Sequence, residues 1–322
     1  MRKICFGLML VGLAVLWTTG FAFSGGTADN DVKVIDAKVT DLNASVDQLN
    51  YAMSFIDAKN YKRAQAEFKR LLKLFPDSSQ APDAQFYIGL CEENRQRFYR
   101  AFIEYQKTLN KYPQFERIQE VIDREYNIAE LFFGKEKKIL GMKLPPNYER
   151  AREIFRQVVA AAPFSAYADA AQYKCGLCFK YMHQYEEAIL EFEKVADNYA
   201  YSPYLPLAKF EIAYAIYKIS TLANNYDEQL LDSAIKAFND FLDAYPDHER
   251  TAEAKKICQQ LNDKKSQTLF YIAGFYKNQK KIKAAKIYYQ DIIKNFQDTS
   301  WAAKAIAEVA KLEKTKPRID TD

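Results

Sequence analysis

Six copies of one three-residue pattern constrain the fold of this chain more than any other feature. Each copy has an aromatic or aliphatic residue, an alanine three positions later and an aromatic residue four positions after that. Offsets of three and four place the members of a triplet on one face of an α-helix. The triplets are Tyr61/Ala64/Phe68, Phe98/Ala101/Tyr105, Tyr148/Ala151/Phe155, Tyr185/Ala188/Phe192, Leu231/Ala234/Phe238 and Ile282/Ala285/Tyr289. The pattern predicts six amphipathic helices, which we call the B helices.

A second helix, helix A, is predicted upstream of each triplet, with a small residue where the two helices must approach closely. These small residues are Ala52, Gly89, Ala129, Gly176, Ala213 and Ala273. Proline cannot continue a helix, so four B helices are expected to stop at Pro76, Pro113, Pro163 and Pro246. Long intervals between some triplets indicate insertions, and residues 251–265 are expected to form an added helix before the sixth unit.

This layout resembles the tetratricopeptide repeat (TPR) family, in which antiparallel helix pairs of about 34 residues stack one on another. The resemblance implies an all-α, TPR-type solenoid of helical hairpins, wound as a right-handed superhelix with about six helix pairs. Composition agrees, because 49% hydrophobic and 15% aromatic residues can bury a core, while only 10 Gly and 10 Pro disfavour an all-β fold.

The repeats and their flanks divide the chain into six segments. The expected boundaries are residues 1–24 for a signal peptide, 25–46 for an N-terminal linker with a heptad helix, 47–119 for units 1 and 2, 120–204 for units 3 and 4, 205–310 for unit 5, the extra helix and unit 6, and 311–322 for a tail.

The first segment has the features of an export signal. Arg2 and Lys3 precede the apolar stretch Ile4–Trp17, and Ala22 and Ser24 have the spacing that signal peptidase needs for a cut before residue 25. An uncleaved anchor is the alternative. The cleavage site has no cysteine, so we expect a periplasmic protein that is not lipidated.

Charge is uneven along the chain that remains after cleavage. Residues 251–322 hold 15 Lys and Arg against 8 Asp and Glu, and residues 25–250 have a net negative charge. The basic C-terminal third indicates either an acidic partner or membrane surface, or a solvated helix face. The export signal disfavours nucleic acid as a partner.

We find no catalytic motif and expect neither an enzyme nor a cofactor. The sequence has no G-x-S-x-G, no Gly-rich phosphate loop and no H-E-x-x-H, and it has only two histidines. Cys175 and Cys178 form a C-x-x-C pair within a helix, where we interpret them as small core residues. A disulfide or a metal site with His183 is the alternative.

A narrower resemblance covers roughly residues 45–310. The export signal, the first unit ending in Phe75-Pro76-Asp77-Ser78, the long loop after Phe132-Phe133-Gly134 and the final unit from Phe270-Tyr271-Ile272 are similar to the BamD (YfiO) family of outer-membrane assembly factors. That family implies a non-enzymatic periplasmic scaffold that docks on a barrel-forming subunit through its C-terminal repeats and receives unfolded β-barrel substrates with its N-terminal ones. Peripheral membrane association would then run through a partner. This sequence departs from the family by lacking a lipidated cysteine.

An apolar stripe with 3-4 spacing runs from Val32 to Ile56. Its members are Val32, Ile35, Val39, Leu42, Val46, Leu49, Met53 and Ile56. β-branched residues at the first heptad position favour a parallel dimer. Two interpretations remain open: one long helix folded against its own repeats, or self-association. The second is typical of the CpoB (YbgF) family of periplasmic TPR adaptors in envelope division and cell-wall coordination.

A set of apolar residues, five of six aromatic, recurs at the fifth position of helix A, and we call it the aromatic ladder. Its members are Leu49, Phe86, Tyr126, Tyr173, Phe210 and Phe270, followed one turn later by an outer row of Met53, Leu90, Leu177 and Tyr214. In a TPR superhelix that position faces the concave groove, so the ladder is a candidate partner-binding surface for apolar and aromatic segments. The alternative is that these rings only pack successive A helices together.

Overall fold

The computed structural model describes residues 28–134, 138–139, 142–143, 146–222 and 228–314, with side chains from residue 43 onward except in the two short strands and at residue 222. The elements in chain order are α1 (Ala28–Asp57), α2 (Tyr61–Leu74), α3 (Ala81–Asn94), α4 (Phe98–Lys111), α5 (Ile118–Phe133), β1 (Lys138–Ile139), β2 (Met142–Lys143), α6 (Tyr148–Ala161), α7 (Ala168–Tyr181), α8 (Tyr185–Asn198), α9 (Leu205–Leu222), α10 (Glu228–Ala244), α11 (Thr251–Asn278), α12 (Ile282–Asn295) and α13 (Ser300–Lys314). The predicted signal peptide and the tail beyond Lys314 lie outside the described residues.

Six helical hairpins form where the triplets predict them, which confirms the all-α, TPR-type architecture. Helices α1 to α12 pair in sequence order as A and B helices of units 1 to 6, and α13 follows as a single helix. The described residues divide into two compact parts, with the boundary between Ala84 and Gln85. Strand structure among the described residues is one two-residue hairpin in the insertion after α5, where Lys138 pairs with Lys143 and Ile139 with Met142.

In the N-terminal part, α1 packs against α2 through the residues that the sequence singled out. Ala52 of α1 and Ala64, Phe68 and Leu71 of α2 are fully buried. The Gln48 amide holds the two helices together by donating hydrogen bonds across the hairpin to Glu67.

In the C-terminal part, the triplets form the core between paired helices. The alanines Ala101, Ala151, Ala188, Ala234 and Ala285 and the aromatics Tyr105, Phe155, Phe192, Phe238 and Tyr289 all have no exposed surface. The small helix-A residues lie against those rings. A Cβ added at Gly89 would lie 2.5 Å from the Tyr105 ring, and one at Gly176 would lie 2.4 Å from the Phe192 ring. The crossing therefore requires a residue without a side chain at these two places.

The ends of four B helices lie where the prolines in the sequence predict them. Helices α2, α4, α6 and α10 each end two residues before a proline, as predicted, and α8 and α12 end at the equivalent place without one. The A-to-B turn contains a residue in the left-handed region in units 1, 2, 4 and 6, namely Lys59, Gln96, His183 and Lys280. Units 3 and 5 have insertions at that turn.

The expected extra helix is not a separate element. Residues 251–265 and the sixth helix A form one continuous helix, α11, of 28 residues. The physical reason is that residues 251–278 contain no proline and only one glycine, Gly274, so nothing in them interrupts the hydrogen-bond ladder. Helix α13 begins at Ser300 and includes the first residues of the segment expected as a tail.

Candidate functional site

The aromatic ladder lies on the A helices at the predicted positions, and three of its rings are buried. Phe86 and Phe210 have no exposed surface and Tyr173 is 8% exposed, whereas Tyr126 and Phe270 are half-buried. Leu49, in the N-terminal part, is also half-buried. Any direct contact with a partner would therefore involve mainly the half-buried members.

Each ring of the ladder packs on the last aromatic residue of the triplet in its own unit. The centroid distances are 5.8 Å for Phe86–Tyr105, 5.7 Å for Tyr126–Phe155, 5.5 Å for Tyr173–Phe192, 6.0 Å for Phe210–Phe238 and 5.2 Å for Phe270–Tyr289. All are in the range that aromatic pairs prefer. The ladder thus builds the hairpin core, as the packing alternative holds.

A second group at the start of the following A helix covers the same rings. The Arg117 guanidinium lies 4.0 Å from the Phe86 centroid, and that of Arg250 lies 4.3 Å from Phe210. The remaining covers are aromatic: Tyr167 on Tyr126 at 4.6 Å, Tyr204 on Tyr173 at 5.3 Å and Trp301 on Phe270 at 5.2 Å. The helical periodicity of the sequence does not predict this group. In the sequence, each member of the group is an Arg or an aromatic residue at, or next to, the first residue of the following A helix.

The outer row keeps part of its surface exposed. Leu90, Leu177 and Tyr214 are half-buried, as is Met53 in the N-terminal part. Tyr214 carries two cations near its ring, with the Nζ atoms of Lys180 at 4.6 Å and Lys218 at 5.2 Å from the centroid. Lys180 and Lys218 belong to helices α7 and α9, so the structure places positive charge beside this row.

Ion pairs connect successive A helices beside the outer row. The pairs are Glu93–Arg124 at 3.2 Å, Glu130–Lys174 at 2.6 Å, Lys180–Glu211 at 2.5 Å and Lys277–Glu308 at 2.7 Å. Glu211 is buried and also receives a hydrogen bond from Arg250. Hydrogen bonds from Lys277 and Lys311 hold the pKa of Glu308 below its usual value. These pairs therefore join neighbouring A helices along the side of the outer row.

A Gln–Glu pair recurs inside three hairpins, buried in unit 4 and half-buried in units 1 and 2. Gln48, Gln85 and Gln172 of helix A each donate from Nε2 to both the backbone carbonyl and the carboxylate of Glu67, Glu104 and Glu191 of helix B, respectively. Unit 3 differs: Ile154 takes the place of the glutamate, and Glu125 accepts from Gln106 of the preceding helix instead. Burial raises the pKa of Glu125 to about 8, partly offset by the Gln106 hydrogen bonds.

All four cysteines of the described residues are buried and unpaired, as the core interpretation predicts. Burial raises the pKa of Cys91 and of Cys178 to about 12 and that of Cys175 well above its usual value. A thiol with such a pKa is a poor nucleophile and a poor metal ligand at neutral pH. In the part of the chain that the structure describes, no cluster of His, Cys, Asp and Glu could hold a metal ion.

Helix α11 presents exposed aromatic residues near its C-terminal end. Tyr271 is 63% exposed and Phe275 is 58% exposed, one helical turn apart. Gly274 lies between them, and a Cβ added there would meet no atom within 4 Å, so this face is open. The Tyr271 ring contacts Trp301, and the Lys304 Nζ lies 3.7 Å from the Trp301 centroid.

Stacked hairpins with small residues at the crossing and rings on either side define a TPR protein. The sequence supports this class, because residues 49–114 match the tetratricopeptide repeat family model. Residues 221–316 match the family model of YfiO, described as an outer membrane lipoprotein. The predicted resemblance to the BamD (YfiO) family is thereby confirmed for the C-terminal third of the chain. Among the described helices, none is long and apolar enough to cross a membrane.

Solved structures of several TPR proteins are similar to this chain. One is a TPR protein from Parabacteroides merdae ATCC 43184, with 16% identity and a TM-score of 0.33 over 84% of this chain and 98% of that one. Another is a thermophilic TPR protein of Thermus thermophilus, with 13% identity and a TM-score of 0.31 over 66% and 98%. A third is PilW, a type IV pilus biogenesis factor, with 16% identity and a TM-score of 0.31 over 82% and 98%. Among curated proteins, none matches this chain.

Proposed function

We propose that this protein is a non-enzymatic periplasmic scaffold, similar to BamD, that takes part in the assembly and insertion of outer-membrane β-barrel proteins. It would do so by binding substrate segments and a barrel-assembly subunit. The observation that carries the proposal is the match of residues 221–316 to the YfiO family, which coincides with the exposed aromatic face of α11.

The face around Tyr271 and Phe275 is the proposed docking site for the barrel-assembly subunit. Exposed aromatic residues supply a large contact area with few rotatable bonds to immobilise, which makes them frequent anchors of protein interfaces. Lys304 adds a positive charge beside the Trp301 ring, and the surrounding segment is rich in bases. A partner surface with apolar pockets and acidic side chains would complement this face.

The half-buried residues of the outer row are the proposed substrate-binding surface. Leu90, Leu177 and Tyr214 offer separate apolar contacts along the A helices, and Lys180 and Lys218 flank Tyr214. Separate apolar contacts suit an extended segment with alternating apolar side chains, such as a strand of an unfolded barrel. The buried rings of Phe86, Tyr173 and Phe210 would support this surface from below, and Tyr126 and Phe270 would contribute their exposed edges.

Site-specific crosslinking in the envelope tests the docking site. A photoreactive amino acid replaces Tyr271 or Phe275 in one pair of strains and Ile287, which is 65% exposed on α12, in the control strain. We expect positions 271 and 275 to capture a barrel-assembly subunit and position 287 to capture much less. Equal capture at all three positions, or none of that subunit at 271 and 275, would contradict the proposal.

The length of α1 supports a second candidate, a CpoB-like adaptor that self-associates. Helix α1 has 30 residues while its partner α2 has 14, so about half of α1 extends beyond the hairpin. The apolar positions Val32, Ile35, Val39 and Leu42 fall in that extension, and their side chains lie outside the described part. Sedimentation of the wild type and of a Val39→Glu variant tests this candidate. A wild-type dimer that the substitution abolishes would favour the adaptor, and a monomeric wild type would exclude it.

A further inference from the structure

The loops that lead from each B helix to the next A helix divide into two groups by the nature of their third residue. Five of them have six residues, namely 75–80, 112–117, 162–167, 199–204 and 245–250, and the last is shorter, residues 296–299, because α13 begins at Ser300. The third residue is polar in four of them, namely Asp77, Gln114, Asp247 and Asp298. It is Phe164 and Tyr201 in the two that flank unit 4. A solvent-exposed position that accepts Asp elsewhere has become aromatic in two neighbouring loops.

Both aromatic side chains are entirely exposed, at 98% for Phe164 and 104% for Tyr201. Most large apolar side chains among the described residues are at least half-buried, whereas these two bury almost nothing in their own fold. Exposed rings of this kind that lie together mark interaction sites. Their presence is not required by the hairpin packing, because the other loops form the same turn with Asp or Gln.

One hydrogen bond joins the two loops, and a second joins the later loop to the first turn of α7. The Tyr199 hydroxyl donates to the Pro163 carbonyl at 3.1 Å, and the Ser202 hydroxyl donates to Asp169 Oδ2 at 2.7 Å. Between the loops lies an open groove of about 370 Å³, lined by Phe164, Tyr201, Tyr199, Pro163, Pro203 and small residues. The rings therefore flank a surface that is already formed, and a ligand would not have to order these loops.

The lining of the groove contains one charged side chain. It is that of Asp169, and its two oxygens already accept from Ser202 and from the Ala170 amide. An anionic ligand would meet no positive charge in this lining, and a cationic ligand would meet one carboxylate that already accepts two hydrogen bonds within the protein. Polar contacts remain available from the exposed Asn198 side chain at the rim. By charge complementarity the groove fits an uncharged ligand with apolar bulk and hydrogen-bonding carbonyl groups.

We propose that this groove binds an uncharged, proline-rich segment of another protein in the polyproline II conformation. Grooves lined by aromatic residues bind such segments, because the polyproline II helix is extended before binding and loses little entropy. It has no internal hydrogen bonds, so its carbonyl oxygens are free to accept from Asn198 and from the Tyr201 hydroxyl. This site is separate from the docking and substrate surfaces of the proposed function, and its test does not depend on them.

Titration calorimetry with purified protein tests the site. The probe is an end-blocked decapeptide of repeated Pro-Pro-Ala, compared with a version in which Gly replaces every Pro and one in which Asp replaces every Ala. We expect the first to bind, and the other two to bind at least several-fold more weakly. The double variant Phe164→Asp/Tyr201→Asp should weaken the first by about tenfold or more. The matched control Gln114→Asp should leave it unchanged.

Stability measurements accompany the binding data. Asp occupies the same loop position in three other units, so the double variant should unfold at the wild-type temperature; single Phe164→Gln and Tyr201→Gln variants, which copy the Gln114 loop, serve if it does not. Equal affinity of the wild type and the variants would overturn the proposal, as would failure of the proline-rich peptide to bind. Two other results, each without peptide binding, would also overturn the proposal. One is binding to phosphatidylethanolamine vesicles that the double variant loses, and the other is dimerisation that the double variant loses.

Discussion

The backbone of Gly176 lies so close to the Phe192 ring that a Cβ atom there would stand 2.4 Å from Cε1. The same relationship joins Gly89 to Tyr105 in unit 2, at 2.5 Å. Both rings are fully buried, so neither can move without disturbing the next hairpin. The helix crossing is therefore set by the absence of one methyl group in helix A and the presence of a ring in helix B.

Adding that methyl group should destabilise the protein. We expect Gly176→Ala to lower the free energy of unfolding by about 1–3 kcal/mol, the usual cost of overpacking a core. Gly274→Ala is the matched control, because it adds a methyl group to another A helix where no atom lies within 4 Å. That variant should gain about 0.5–1 kcal/mol from its better helix propensity. Urea unfolding measures both, and equal effects of the two substitutions would contradict the packing account.

The buried Gln172–Glu191 pair should be strongly coupled. Gln172→Leu removes both hydrogen bonds to Glu191 and should cost about 1–3 kcal/mol, because it leaves buried acceptors with fewer partners. Replacing both residues by Leu should cost less than the sum of the single changes. Glu187→Leu, on the exposed side of the same helix, should change stability by less than about 0.5 kcal/mol. Additive single and double effects would show that the pair is not coupled.

Glu125 should make stability fall as the pH rises. Its pKa is about 8 in the folded protein against 4.5 for an ordinary glutamate, so between these values the native state keeps a proton that the unfolded state releases. The contribution to stability is complete below pH 4.5 and is lost as the pH rises toward 8, with a slope of up to about 1.4 kcal/mol per pH unit.

The Glu125→Gln variant tests this dependence. The amide stays neutral at every pH, and its carbonyl can still accept from the Gln106 Nε2, which lies 2.9 Å from the carboxylate. Urea unfolding from about pH 5.5 to about pH 8.5 should show a shallower slope for the variant and a more stable variant at the upper end. Parallel curves for the two proteins would mean that Glu125 is ionised in the fold.

Much of this fold could be predicted from the sequence, because helical periodicity and small residues report on local geometry. The pairing of Gly176 with Phe192 is such a case. The residues that pack over the aromatic ladder could not be predicted from periodicity. Arg117 and Tyr204 contact the rings of Phe86 and Tyr173 only because one unit stacks on the next. Periodicity states that Phe86 lies on an inner face of its helix but not which neighbour closes over it. The continuity of α11 was missed although residues 251–278 contain no proline.

Substitutions in the aromatic ladder should mainly lower stability, and substitutions in the outer row should mainly weaken peptide binding. Changing Phe86 and Tyr173 together to Ala should cost several kcal/mol of stability, because truncating a buried aromatic side chain typically costs about 3–5 kcal/mol. Changing Tyr214 to Ala should cost less, because that ring is half-buried, yet should weaken binding of an aromatic-ended barrel peptide by about 1–2 kcal/mol. Thermal unfolding and fluorescence titration measure the two effects. Unchanged peptide affinity in a folded Tyr214→Ala protein would remove the outer row from the substrate surface.

The mature N-terminus should begin near Gly25 without an acyl chain, although residues 221–316 match a family described as an outer membrane lipoprotein. Lipoprotein acylation requires a cysteine as the first mature residue, and Cys5 is the one cysteine before Cys91. Cys5 lies at the start of the apolar stretch, so a cut before it would leave that stretch attached. Cys91 is buried in α3 and is not accessible to acylation. Mass spectrometry of the N-terminal peptide of protein from the envelope should show an unmodified N-terminus near residue 25, and salt washing of membranes should release the protein. A mass that includes a diacylglyceryl group, or resistance to release by salt, would show that the chain is tethered by a route of its own.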